Sequence, residues 1–229
     1  MVQPVLKVLE LMKLKPKELI KPDLTVEFYE DIHRYYDLKQ KHWVKYSVTE
    51  IASDSSYLNK VLKRDDNDPD KQKISESIKR GNAVHEAVEH WFKTGEVLDA
   101  GDYRAWVNQF INYPNLKGWE CLASELVLID RRYNTAGKLD FLLEKDDRLV
   151  LCDLKTKNPK FTKDHVKVKS QLGGYVSILH HKYPTLNIDS CRVYWVTPEK
   201  CTADEYSTID CVDLFTSARR QFRETQPSF

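Results

Sequence analysis

Two carboxylates and an amine in the middle of the chain have the types and spacing for phosphodiester chemistry. They are Asp140, in Gly137-Lys138-Leu139-Asp140, and the pair in Asp153-Leu154-Lys155. In a strand, residues i and i+2 project to one face, so Asp153 and Lys155 emerge together while Leu154 turns to the core. An antiparallel neighbour can bring Asp140 alongside. Carboxylates are hard oxygen ligands for Mg²⁺ or Mn²⁺, and an ammonium can polarise an attacking water or stabilise charge developing on the phosphorane. Asp-x-Lys alone more often marks a solvated strand end, so the weight falls on its companions. These are His85, four residues after Gly81; Glu125; and Gln171 with Tyr175, one helical turn apart.

The elements that must position them can be read from periodicity. From about 74 to 94, Val84, Ala87, Val88 and Trp91 recur at i, i+3, i+4 and i+7, the spacing of one buried helical face. His85 adjoins that face and can point from it toward the strands. Runs over 122–130, 133–143 and 149–154 predict three strands, with Asn134 and Lys145-Asp146-Asp147 at the turns, and hence an antiparallel meander. Helical period returns over 163–182, a strand follows at 191–196, and a last helix is predicted over about 211–224. Upstream, aromatic and β-branched residues predict a hairpin over 25–46. Ser47-Val48-Thr49-Glu50 has the form of a capping box opening a short helix, and the charged run 63–73, with Asn67 and Pro69, reads as a mobile surface loop.

This order describes an α/β fold whose mixed β-sheet, an antiparallel meander plus a crossover strand, is flanked by helices, not a doubly wound parallel sheet. A length of 229 residues suits one domain. Within it, 1–73 form an N-terminal hairpin and helix embellishment, 74–197 the core carrying the chemistry, and 198–229 a C-terminal helix. The 36 basic against 35 acidic residues leave a net charge of +1, so affinity for a polyanion must come from a local patch. Lys157, Lys160, Lys163, Lys167 and Lys169, after the Asp-x-Lys strand, are the candidates. Five cysteines without a CxxC pair suit reduced thiols and a cytoplasmic setting. No signal or transit peptide is recognisable, no run approaches the roughly 20 apolar residues of a membrane span, and no Gly-x4-Gly-Lys-Ser/Thr sequence predicts ATP binding.

Taken in order, Gly81-x-x-x-His85, Glu125, Gly137-x-x-Asp140, Asp153-x-Lys155 and Gln171-x-x-x-Tyr175 resemble the motif set of RecB-like nucleases of the PD-(D/E)XK superfamily, over residues 81–175. The upstream segments His33-Arg34-Tyr35-Tyr36 and Tyr46-Ser47-Val48-Thr49 are similar to the region ahead of the nuclease core in mitochondrial genome maintenance and phage exonucleases. The resemblance implies a PD-(D/E)XK nuclease core and a Mg²⁺- or Mn²⁺-dependent DNA exonuclease. It carries over His85, Asp140, Asp153 and the Leu154 carbonyl as metal ligands and Lys155 as the catalytic lysine. Glu125 would bind a second metal or hold a metal water, and Gln171 and Tyr175 would stabilise the site and contact the DNA backbone. Lys157 and Lys167 would add phosphate contacts. Relatives with an iron–sulfur cluster have one cysteine before the core and three in a tight C-terminal group. Here none precedes Cys121, and Cys191, Cys201 and Cys211 are spread out, so no cluster is expected.

The two helix motifs favour an exonuclease on linear ends, single- or double-stranded, over a restriction-type endonuclease. The small core suits a phage or mobile-element protein of the bacterial cytoplasm, acting in DNA recombination, repair or degradation, with a recombination protein as a further partner and no membrane. The alternatives are a noncatalytic nucleic-acid-binding module, which should have lost an acid or the lysine, a structure-specific endonuclease, and an RNA-processing enzyme using the same site.

Overall fold

The computed structural model describes residues 15–53 and 63–225. After a four-residue helix, α1 (Pro16–Leu19), the chain forms a small antiparallel sheet of β1 (Val26–Tyr29), β2 (Arg34–Asp37) and β3 (His42–Trp43). It then enters the main sheet through β4 (Tyr46–Ser47) and turns into α2 (Val48–Ala52). Two helices follow, α3 (Pro69–Thr94) and α4 (Arg104–Ile111), then the strands β5 (Glu120–Asp130), β6 (Thr135–Lys145) and β7 (Arg148–Thr156). The crossover helix α5 (His165–Lys182) leads to β8 (Ser190–Val196), β9 (Cys201–Ser207) and α6 (Thr208–Thr225). The six-stranded sheet runs β4-β6-β7-β8-β9, with β5 also on β6. β5, β6 and β7 pair antiparallel, β7 and β8 parallel, and β8 and β9 antiparallel, the mixed α/β sheet expected.

Both faces of the sheet are covered. Leu139, Leu151 and Val193 pack with Leu172, Val176 and Phe215 of α5 and α6, while Phe141, Val150, Leu154 and Tyr194 pack with Val84, Val88, Val107 and Phe110 of α3 and α4. Strands buried on both sides read as nearly continuous apolar runs, which is the pattern of β7 and β8. Among the described residues, no helix is long and apolar enough to cross a membrane.

Several expectations need correction. The 25–46 segment is three short strands instead of one hairpin. Its last residues leave that sheet because the β5–β6 turn captures them: the Lys45 amide donates to Asn134 Oδ1 and the Tyr46 amide to the Asn134 carbonyl. The helix expected from 74 begins at Pro69, so 69–73 are helical and not part of a loop. Asp68 caps it, Oδ1 accepting from the Asp70 and Lys71 amides, and Pro69 occupies the first turn, where a missing N–H costs nothing. These start signals outweigh the lack of apolar residues. The last helix starts at Thr208, and α1, α4 and the polar edge strand β9, which occupies 201–207, were not foreseen. The capping box at Ser47 and Glu50 forms as expected, each side chain accepting from the other's amide.

The small sheet is fastened to the β5–β6 turn by an ion pair whose carboxylate is buried. Asp37, fully buried, accepts from Arg131 Nε (2.8 Å) and Nη2 (3.0 Å) and from the Lys39 and Gln40 amides. Burial alone would raise its pKa, but Arg131 and the amides outweigh it and hold the carboxyl below its ordinary value. Arg131→Met is expected to cost about 3 kcal/mol in urea unfolding at neutral pH, because it strands a buried carboxylate. The advantage of the wild type should shrink as pH falls below about 4, since a depressed carboxyl contributes above its unfolded pKa and loses that contribution on protonation. Equal unfolding free energies at pH 7 would show that the pair is not a fastener.

Candidate active site

β6 and β7 pair from Lys145–Arg148 as far as Phe141–Cys152 and then separate. The next inward amide of β7, Leu154 N–H, is taken instead by the carboxylate of Asp140, Oδ2 accepting at 2.6 Å. At the same place the alternation of β6 slips, for Leu139 and Leu142 face the α5 layer while Phe141 and Leu143 face the α3 layer. On the other neighbour, Glu125 lies between the pairs Ser124–Phe141 and Leu126–Leu139 and has φ +50°, a left-handed backbone that a non-glycine residue adopts at a cost of about 1–3 kcal/mol. The irregular backbone of both strands thus centres on the two acids.

Asp153 and Lys155 share the α5 face, as their i, i+2 spacing predicts. Asp153 is 1% exposed; its Oδ1 accepts from Lys155 Nζ at 2.8 Å, and its Oδ2, equally buried, has no hydrogen-bond partner. Lys155 Nζ also donates to Gln171 Oε1 (3.1 Å), and Gln171 Nε2 donates to the Tyr175 hydroxyl (3.1 Å). Tyr175 packs so closely on β6 that a Cβ at Gly137 would lie 2.6 Å from its ring, so the glycine of Gly-x-x-Asp makes room for the tyrosine of Gln-x-x-x-Tyr.

From α3, His85 reaches the opposite side of the gap. Its Nε2 is 2.9 Å from the Leu154 carbonyl, and its Nδ1 is 3.3 Å from Glu125 Oε1 and 3.8 Å from Asp140 Oδ1. His85, Glu125 and Asp140 each offer a ligand atom within 4.8 Å of the others. Sequence reasoning missed Lys138, whose Nζ donates to Glu125 Oε2 at 2.6 Å. Its signal was there to use: two residues before Asp140 on the same strand, it shares the edge of the site.

Three acids, Glu125, Asp140 and Asp153, face three basic groups, His85, Lys138 and Lys155. Burial raises the Asp140 pKa to about 7, with Asp153 adding to the rise and His85 and Lys155 opposing it. Burial would lower that of His85, yet Asp140 and Glu125 bring it up to about 9, so both ring nitrogens can donate to the oxygens facing them. Lys155 is raised against its burial by Asp153 and Asp140, and Glu125 is lowered against its burial by His85 and Lys138. Among the described residues, His85, Glu125 and Asp140 are the group whose ligand atoms lie close enough to share one ion, and Asp153 is not part of it. Asp153 Oδ2 is a buried anionic oxygen without a proton donor, a costly arrangement unless a cation completes it. The 2.9 Å contact between His85 Nε2 and the Leu154 carbonyl is a hydrogen bond, and an ion held by both atoms would take the place of that proton.

The expected lysines are dispersed. Lys157 lies against the rings of Trp195 and Phe161 (5.9 Å each). Lys160 and Lys167 are exposed, Lys163 pairs with Asp204 at 2.7 Å, and Lys169 stands over the Tyr206 ring at 5.0 Å. The five cysteines are all free thiols; Cys191 and Cys211 interact in the core, and Cys201 is on the edge strand.

No family model matches the chain, and no curated protein matches it. Among solved structures, it is similar to the crystal structure of SSO0001 at 14% identity and a TM-score of 0.43, over 80% of this chain and 76% of that one. It is also similar to the alkaline exonuclease LHK-Exo from Laribacter hongkongensis at 11% identity and a TM-score of 0.38, over 79% of this chain and 87% of that one.

Proposed function

We propose that the protein is a divalent-metal-dependent deoxyribonuclease of the PD-(D/E)XK type, acting as an exonuclease on linear DNA ends. The observation that carries this reading is the convergence of His85, Glu125 and Asp140 at the gap between β6 and β7, with the partnerless, buried Asp153 Oδ2 on the other face of β7 and Lys155 held there by Asp153 and Gln171.

Asp140, Asp153, the Leu154 carbonyl and His85 would hold Mg²⁺ or Mn²⁺, which when bound supplies positive charge at the scissile phosphate and a more acidic water. Lys155 has its ammonium oriented by two acceptors, so its remaining N–H is aimed and can stabilise the attacking oxygen or the phosphoryl charge. Tyr175 holds Gln171, and Gln171 holds Lys155, which makes the Gln-x-x-x-Tyr helix a support for the amine. The Glu125 carboxylate faces His85 Nδ1 while Lys138 neutralises its other oxygen. Glu125 therefore suits orienting the imidazole more closely than holding a second ion. We place the protein in the cytoplasm, bacterial if it is phage-encoded, with DNA recombination, repair or degradation as its setting.

The test is incubation of the protein with end-labelled single- and double-stranded linear DNA, a closed circle and linear RNA, with Mg²⁺, Mn²⁺ or EDTA. Metal-dependent loss of linear DNA with the circle spared is the expected result, and the label reports polarity. A cut circle would make it an endonuclease, preferred cleavage of RNA would move the substrate class, and no cleavage in either metal would leave a nucleic-acid-binding module.

A further inference from the structure

Leu143 and Lys145 follow Phe141 on β6 at two-residue steps, and Arg192 precedes Tyr194 on β8 by two, so Lys145 and Arg192 reach the face of the sheet that α3 and α4 cover. Between these two side chains, the edge strand β9 and the segment joining α4 to β5 lies a cavity of about 390 Å³. That is within the range of small-molecule sites, roughly 300–1,000 Å³. Tyr113, Lys117 and Trp119 line it from the joining segment, and Lys145, Arg192 and Glu205 from the sheet. Lys145 is five residues beyond Asp140, roughly 17 Å of strand, so the cavity stands apart from the candidate active site.

The charged wall is held in place. Arg192, 8% exposed, donates from Nη1 to the Tyr194 hydroxyl (3.1 Å) and from Nη2 to Glu205 Oε2 (2.8 Å), and its guanidinium lies over the Trp119 ring at 4.8 Å. Arg148 takes the other oxygen of Glu205, so the one carboxylate in the lining is already neutralised. Gly118 has φ +83°, and its missing side chain lets Lys145 lie across the turn: a Cβ there would be 3.3 Å from Lys145 Nζ. That ammonium donates to the Lys117 carbonyl at 3.1 Å and has no carboxylate partner among the described residues. The Lys117 ammonium has no partner of any kind among them. Glu144, next to Lys145, projects to the opposite face of the sheet. Positive charge therefore collects at the cavity beside an aromatic wall.

We propose that this cavity binds a nucleoside monophosphate, its phosphate against Lys117 and Lys145 and its base against Tyr113 and Trp119. A phosphate monoester carries about two negative charges at neutral pH, which matches the excess of Lys117, Lys145 and Arg192 over Glu205 in the lining. A lysine ammonium meets such an anion as a point charge and needs no fixed approach. The aromatic wall calls for a flat ring on the same ligand, and every base presents a π-face to it. Inorganic phosphate would leave Tyr113 and Trp119 unused, and a nucleoside would leave both lysines unpaired. The proposal does not depend on the nuclease reading.

The experiment is calorimetric titration of the full chain with adenosine 5′-monophosphate, adenosine and inorganic phosphate, with thermal melting to check folding. EDTA is present throughout, so that no metal draws the phosphate to Asp140. The nucleotide is expected to bind at least about tenfold more tightly than either of its parts. Lys145→Gln should weaken it about tenfold and Trp119→Leu about fivefold or more. Lys160→Gln, which removes the same charge from an exposed position elsewhere, should leave it unchanged. The proposal is overturned by a titration that does not saturate by about 1 mM nucleotide, by inorganic phosphate binding as tightly as the nucleotide, or by wild-type affinity in both Lys145→Gln and Trp119→Leu. If Trp119→Leu does not fold, Lys117→Gln takes its place, and wild-type affinity in both lysine variants overturns it. Binding is read without cleavage, so this result and the nuclease reading stand or fall separately.

Discussion

Asp153→Asn is expected to reduce cleavage by at least about a thousandfold while the protein remains folded, with a modest change in melting temperature. The amide keeps the shape of the carboxylate and can still offer an oxygen to Lys155 Nζ, which now sits 2.8 Å from Asp153 Oδ1. It loses the negative charge that a metal requires and places a group of similar size where Oδ2 is buried without a partner. In the metal-free protein that charge acts both ways: after burial it adds to the rise of the Asp140 pKa to about 7, and it is the closest counter-charge of the buried Lys155 ammonium. Removing it relieves the repulsion of Asp140 and weakens the hold on Lys155. The metal arm of the measurement separates a catalytic role from a structural one. At a concentration a hundredfold above its dissociation constant, Mn²⁺ should stabilise the wild type by about 2.7 kcal/mol and the variant by much less. Near-normal turnover by folded Asp153→Asn, or equal stabilisation of both proteins by Mn²⁺, would remove Asp153 from the metal site.

How much of this was legible in the sequence depends on whether a residue's role is set by regular geometry. Asp153 and Lys155 follow the two-residue period of a strand and Gln171 and Tyr175 the four-residue step of a helix, so their pairing could be read directly. His85 was placed by the apolar stripe of its helix, since Val84 and Val88 are both buried. What could not be read lies where regularity fails. The slip of β6 at Asp140 and the left-handed backbone of Glu125 have no marker in the sequence, because glutamate is not a residue that announces a positive φ. Glu125, expected to bind a second metal or hold a metal water, lies in the group with His85 and Asp140 whose ligand atoms fall within 4.8 Å of one another, and its oxygens also face His85 and Lys138. β9 was missed because its polar residues give no alternation; it is held by pairing with β8.

The glycines between Gln171 and Tyr175 lead to the second large effect, Gly173→Ala, which is expected to destabilise the protein by about 3 kcal/mol or more and to reduce cleavage in the fraction that remains folded. A Cβ on Gly173 would lie 1.9 Å from the Cys211 carbonyl oxygen and 2.8 Å from the Val212 nitrogen, both backbone atoms of α6, so no rotamer change relieves the overlap. At the adjacent Gly174 a Cβ would meet Val48 at 2.5 Å and the Phe215 ring at 2.8 Å. α5 is thus held at backbone distance from α6 on one side and against α2 on the next. An alanine must push α5 away from α6, and α5 carries Gln171, whose Oε1 is 3.1 Å from Lys155 Nζ. A displacement of an ångström would break that bond and release the ammonium from one of its two acceptors. Gly81→Ala is the matched control for helix propensity, since the same change there meets nothing closer than 3.9 Å. Urea unfolding of both variants reads the effect. A Gly173→Ala protein as stable as wild type would show that the α5–α6 contact is looser than its backbone spacing requires, and would leave the alignment of Lys155 to Asp153 alone.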